Sequence, residues 1–286
     1  MTVSTTTVPT ITLNDGTEIP QLGFGVFLVP PEETQRTVEQ ALEVGYRHLD
    51  TAQMYGNEAE VGAAIRAAGV PRDELYVTTK LNNGHHRPDD ARRSFAESLE
   101  KLGLDRVDLF LIHWPLPTRY DGDFVSTWRT LVELRDGGGT TSVGVSNSEP
   151  AHLERIIDEV GVVPAVNQVE ANPYFTNEAV RAADARHGIA TEAWSPIARG
   201  AVVRDETITR IAERVGRTPA QVTLRWHLQR GDIVFPKSMH RERMEENYAL
   251  FDFELTDDDV ATIAALDRGE PGRTGPNPNT FDRIPT

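Results

Sequence analysis

Short apolar runs return along the whole chain, with helical patterns between them, and this alternation limits the folds open to it. The runs occupy 46–49, 75–79, 107–112, 142–145, 165–169, 189–193 and 233–235, with 251–253 as a weaker eighth. Val107–Ile112 is nearly continuous in apolar residues, as a strand covered on both faces should be. Between runs, Leu153, Ile156, Ile157 and Val160 recur at helical spacing. Thr218-Pro219 opens a further helix, with Thr as N-cap and Pro in the first turn. Thr256-Asp-Asp-Asp259 opens the last one, its acids at the positive end of the dipole. Seven or eight strand–helix units predict an α/β fold, a (β/α)8 TIM barrel, forming one domain over 1–286. Ahead of it, 11–13, the turn Asn14-Asp15-Gly16 and 19–22 read as a β-hairpin. The tail, 268–286, is rich in Gly, Pro and Asn and reads as irregular, either disordered or folded across the barrel mouth.

Composition excludes several function classes. A net charge of -15 argues against nucleic acid and anionic membranes as partners, since both need basic patches. With no cysteine there is no disulfide framework, thiolate nucleophile or Cys-bound metal, which fits a cytoplasmic location. Residues 1–9 are polar and Thr-rich and do not resemble a secretory leader. No apolar run is long enough to span a bilayer.

Asp50, Tyr55, Lys80 and His113 each stand where a predicted strand ends, the place where a parallel barrel gathers its functional groups. Of 29 Lys plus Arg only three are lysines, Lys80, Lys101 and Lys237, so a lysine at a strand end calls for a reason. An ammonium changes protonation readily and a guanidinium does not. Lys101 lies in a charged helix and reads as a surface group. An acid, a phenol, an amine and an imidazole together make a proton-transfer site suited to a carbonyl or an alcohol. A phenol is a weak acid at neutral pH, and an ammonium beside Tyr55 is expected to lower its pKa. Singly, Tyr55 reads as a loop cap, His113 as a core histidine, and Asp50 with Lys80 as a structural ion pair.

A dinucleotide site of the Gly-x-Gly-x-x-Gly type is not present: Gly23-Phe-Gly25 is followed by Leu28. A barrel instead holds phosphate at its last loops. There Lys237 and Ser238 follow a strand and enter a helix, with Arg241 and Arg243 close by. Two readings stand: an arginine fork for phosphate, or a helix whose Arg241 and Arg243 pair with Glu245 and Glu246. The scarcity of lysine favours phosphate.

The segment 45–58, Leu111-Ile-His-Trp-Pro115, Gly144-Val-Ser-Asn147, Asn167-Gln-Val-Glu170, Ala193-Trp-Ser-Pro196 and Phe235-Pro-Lys-Ser238 together resemble the aldo-keto reductase superfamily in order, nearly end to end. Asn14-Asp-Gly16, Gln21-Leu-Gly23, Leu224-Arg-Trp-His-Leu-Gln229 and Phe251-Asp-Phe253 are most similar to its bacterial 2,5-diketo-D-gluconate reductases. The resemblance implies NADPH-dependent reduction of aldehydes and ketones, including α-dicarbonyls or keto sugars, without metal. It implies Tyr55 as general acid, Lys80 and Asp50 as its tuning partners, and His113 as the group orienting the carbonyl. It also implies Ser146, Asn147 and Gln168 at the carboxamide of the cofactor and Trp194 stacked on its nicotinamide. Ser195, Ile197 and Gly200 fall at the pyrophosphate, Lys237, Ser238 and Arg243 at the 2′-phosphate, and Glu246 and Asn247 at the adenine. A monomer acting on a small carbonyl compound is expected.

Departures bear on the substrate. Asn82 stands where family members often carry an aromatic residue, which predicts a more open or polar pocket beside Phe27 and Trp114. Gly137-Gly138-Gly139 precedes a strand at its far end and predicts local flexibility. One rival is a metal-dependent hydrolase with His48, Asp50, His113 and Glu170 as ligands, too few of them credible for an open zinc site. Another is a non-catalytic nucleotide-binding regulator on the same barrel.

Overall fold

The computed structural model describes residues 8–285. Residues 1–7, on which most of the leader reading rests, and Thr286 lie outside it. The strands are β1 (Thr10–Thr12), β2 (Glu18–Pro20), β3 (Phe24–Gly25), β4 (His48–Asp50), β5 (Tyr76–Leu81), β6 (Val107–Ile112), β7 (Thr140–Ser146), β8 (Val166–Glu170), β9 (Ala190–Trp194) and β10 (Ile233–Val234). β1 and β2 pair antiparallel, their turn tightened by Asp15 accepting from Thr17 N at 3.0 Å. β3 to β10 form one eight-stranded parallel sheet in sequence order. A parallel bridge between Leu22 and Val234 joins its two edges, with Gly23 N donating to Val234 O at 2.8 Å. The result is a (β/α)8 barrel.

The eighth strand differs from the expected one. Residues 251–253 form no strand; the place belongs to Phe24–Gly25, which pairs with β4. Two residues carry too little periodicity to be read as a strand, and only pairing with β4, next to the Leu22–Val234 bridge that closes the barrel, makes them one. Phe251 and Phe253 instead pack against the apolar layer outside the barrel.

Alternation along each strand decides which side chains enter the barrel. One parity points inward: His48 and Asp50, Thr78 and Lys80, Leu109 and Leu111, Ser142 and Ser146, Val166, Gln168 and Glu170, Glu192 and Trp194. The lower interior is apolar, where Tyr76, Leu109, Leu111, Val166 and Ile233 pack with Leu13 and Ile19 of the hairpin. The other parity faces the helices in the main core. Helix caps follow the sequence signals: Thr218 and Thr256 each form a capping box. A Cβ on Gly139 would stand 2.6 Å from the Phe95 ring, so packing requires a glycine there. Among the described residues no helix is long and apolar enough to cross a membrane.

Candidate active site

The upper interior of the barrel is polar. Lys80, fully buried at the end of β5, donates to both carboxylate oxygens of Asp50 at 2.7 and 2.8 Å and to Thr51 O at 2.9 Å. Its Nζ also lies 3.3 Å from the Tyr55 hydroxyl. Tyr55 is not at a strand end itself; a 3-10 turn after β4, Gln53–Tyr55, brings the phenol back over the mouth. His113 follows β6, its ring edge-on to Tyr55 with centroids 5.7 Å apart. The structure thus brings all four of these residues together.

Their electrostatics depart from the expected picture at one point. Lys80 does pull the Tyr55 pKa down, but burial of the phenol is the larger effect and leaves it raised overall. Burial works against the Lys80 ammonium, yet Asp50 and Tyr55 outweigh it and raise its pKa. Burial, with Lys80 adding to it, holds His113 well below the usual imidazole range, so it is neutral at pH 7. At that pH the site therefore holds a protonated phenol, an ammonium and a neutral imidazole.

One carboxyl at the centre of the barrel was not singled out from the sequence. Glu192, fully buried on β9, accepts from Gln168 Nε2 at 2.8 Å, and the same nitrogen donates to Asp50 at 2.8 Å. Burial and then the nearby Asp50 charge push Glu192 up to about 8. Its other oxygen lies 3.8 Å from His48 Nε2. His48 bonds Pro20 O and Thr78, and burial lowers it to about 4. The available signal was an acid inside an otherwise apolar run, Ile189-Ala-Thr-Glu-Ala193.

Beside this network, Ser146, Asn147, Gln168 and Trp194 form one connected group. Ser146 donates to Gln168 O at 2.7 Å, Asn147 Nδ2 to His113 O at 2.9 Å, and Trp194 Nε1 to Asn147 Oδ1 at 2.9 Å. The half-buried indole is thereby fixed at its nitrogen. After β9 the backbone enters the left-handed region at Ser195 (φ 51), Ala198 (φ 48), Arg199 (φ 52) and Gly200 (φ 89). Non-glycine residues there cost about 1–3 kcal/mol each, and such strain collects at binding loops. Ser195, Ile197 and Gly200 all lie on this loop.

The basic cluster follows β10. Arg241 pairs with Glu43 and Glu245, in part as the ion-paired reading expects. Glu246 instead accepts from Thr218, so it leaves Arg243 without it. Among the described residues neither Lys237 nor Arg243 has a carboxylate partner, and both are exposed, with Ser238 and Asn247 buried next to them. Two unpaired cations at the start of a helix, Arg241–Tyr248, suit a phosphate.

Two aromatic contacts lie near Tyr55 and the tail. Phe27 lies 5.0 Å from the Tyr55 ring and Trp114 packs on Phe281 of the tail at 4.2 Å. The Asn82 side chain accepts from Gly84 N at 2.9 Å and caps the turn beyond β5. The tail crosses the mouth, with Asn83 donating to Arg283 O at 2.8 Å. Glu170, a ligand in the metal reading, holds this tail instead, through Thr274 and Gly275. Among the described residues no three His, Cys, Asp or Glu side chains are grouped to hold a metal ion.

The sequence model of the "Aldo/keto reductase family" matches residues 21–268. An aldo-keto reductase of Mycolicibacterium smegmatis is 50% identical over 274 residues, covering 96% of this chain and 98% of that one. The methylglyoxal reductase DkgA of Escherichia coli is 44% identical over 274 residues, covering 95% and 97%. A crystal structure of a Gox0644 mutant in complex with NADPH superposes with a TM-score of 0.92 at 45% identity, covering 96% of this chain and 99% of that one.

Proposed function

Because this chain belongs to the aldo/keto reductase family and is an NADP-dependent carbonyl-reducing enzyme, we propose that it reduces small aldehydes and α-dicarbonyls, with Tyr55 as the proton donor. The observation that carries the proton role is the 3.3 Å contact from Lys80 Nζ to the Tyr55 hydroxyl, backed by the ion pair with Asp50. When bound, NADPH supplies a hydride to the carbonyl carbon. The Tyr55 proton goes to the carbonyl oxygen, so the carbonyl becomes an alcohol. A buried ammonium next to the phenol stabilises the phenolate left behind. The neutral imidazole of His113 has an N–H to offer the same oxygen as charge develops on it. Asp50 keeps Lys80 charged and in place.

The residues present fit the cofactor. Lys237 and Arg243 are free to take a 2′-phosphate, and the loop carrying Ser195, Ile197 and Gly200 suits a pyrophosphate. Ser146, Asn147 and Gln168 are assigned to the carboxamide, Trp194 to the nicotinamide face, and Glu246 and Asn247 to the adenine. Apolar walls at Phe27, Trp114 and Phe281 favour short α-dicarbonyls over the carboxylated keto sugars such as 2,5-diketo-D-gluconate, and the methylglyoxal reductase relative points the same way. The test is NADPH oxidation followed by absorbance with methylglyoxal, aromatic aldehydes and 2,5-diketo-D-gluconate. Higher kcat/KM for the diketogluconate would reverse the substrate ranking, and full activity in Tyr55→Phe would remove the proton role.

A further inference from the structure

Glu170 closes β8 and is the register partner of Trp194 on β9. Its buried carboxylate accepts three hydrogen bonds from the tail: Thr274 N and Oγ1 at 2.6 Å each on Oε1, and Gly275 N at 2.9 Å on Oε2. Among the described residues no cation pairs with it, so neutral donors of the tail alone satisfy this carboxylate. Just upstream, the Arg273 guanidinium sits over the Phe175 ring at 4.3 Å and pairs with Glu270 at 2.8 Å. The tail is therefore led across the mouth and fastened at Glu170.

The fastened segment meets the indole. A Cβ on Gly275 would stand 2.4 Å from Trp194 Cη2 and 3.0 Å from Glu170 Oε2, so no side chain fits between them. The opposite end of the same ring system is tied by Nε1 to Asn147 at 2.9 Å. Trp194 is thus held at two points, one from the barrel and one from the tail.

We infer that Glu170 and Gly275 are positioning residues for nicotinamide binding: the carboxylate seats the tail, and the seated tail sets the plane of the Trp194 indole. This rests on the reading of Trp194 as the ring that stacks on the nicotinamide. A planar stack depends on ring offset and tilt, so a ring freed at one end holds its partner less well. The arrangement also couples the cofactor site to the tail residue Phe281 at the mouth.

The experiment compares wild type, Gly275→Ala, Glu170→Ala, Trp194→Ala and Asp282→Ala, the last removing an exposed tail carboxylate that pairs with Arg119 at 3.1 Å. NADPH dissociation constants are measured by fluorescence titration, and near-UV circular dichroism of the apoprotein reports the indole environment. Gly275→Ala and Glu170→Ala are expected to weaken NADPH binding by roughly tenfold, about 1.4 kcal/mol, and to alter the near-UV spectrum. Asp282→Ala is expected to do neither. Wild-type affinity in Gly275→Ala overturns the inference, and this variant decides the matter if Glu170→Ala does not fold. If Trp194→Ala weakens binding and Gly275→Ala does not, only the tail's role fails. Unchanged affinity in Trp194→Ala means that the stacking assignment itself fails.

Discussion

Asp50 and Glu192 share one amide: Gln168 Nε2 donates to Oδ2 of the first and Oε2 of the second, each at 2.8 Å. Two carboxyls this close in a buried site do not both ionise cheaply. Lys80 compensates Asp50, and no cation is paired with Glu192 among the described residues. Glu192 therefore keeps its proton up to about pH 8.

The consequence is a pH-dependent stability with a definite sign. The Glu192 pKa is raised from 4.5 in the unfolded reference to about 8 in the folded protein. Between those values the unfolded chain has lost a proton that the folded one keeps. Stability from this group is fully present below the lower value and falls as pH rises, by at most about 1.4 kcal/mol per unit, until the upper one is passed. Glu192→Gln cannot ionise, so its advantage over wild type should grow from pH 5 to pH 8 and then level off. Thermal melts across that range measure it; a constant difference would mean that Glu192 is ionised in the native state throughout.

Tyr55→Phe should keep the fold and the NADPH affinity, since only a hydroxyl is removed from a half-buried ring. Its kcat should fall by about 10²–10⁴-fold, the usual worth of general acid catalysis. Steady-state rates beside a binding titration separate the two effects. A parallel loss of affinity would assign Tyr55 to cofactor binding instead.

Lys80→Met keeps the stem and removes the charge, which leaves Asp50 buried beside a neutral group. Breaking a buried pair from one side costs about 3–5 kcal/mol. Urea denaturation should show that loss, and adding Asp50→Asn should recover much of it while activity stays low. A double variant no more stable than Lys80→Met would mean that Lys80 acts through packing rather than charge.

Arg243→Ala concerns an exposed side chain without an ion-pair partner, so stability should change by no more than about 0.5 kcal/mol. One charge-assisted bond to phosphate is worth about 1.5–3 kcal/mol, which predicts roughly 10–100-fold weaker NADPH binding with little effect on NADH. Calorimetric titration of both cofactors is the check, and an unchanged ratio would place the 2′-phosphate elsewhere.

The strand–helix alternation, the parity that turns Asp50, Lys80 and Gln168 inward, and the capping boxes at Thr218 and Thr256 are local patterns, so the sequence determined them by itself. The residue types of Asp50, Tyr55, Lys80 and His113 were equally legible. Tertiary structure alone decided the rest. It made a strand of Phe24–Gly25 by pairing it with Leu49 and Asp50 where Leu22 bridges Val234, and denied one to Phe251 and Phe253. It set Glu192 against Gln168 and Glu170 against Thr274, partners 24 and 104 positions apart. It also reversed the expected direction at Tyr55, where burial outweighs the ammonium. Periodicity and caps depend on neighbours within a few residues, whereas desolvation and long-range pairing depend on what the closed barrel removes from water.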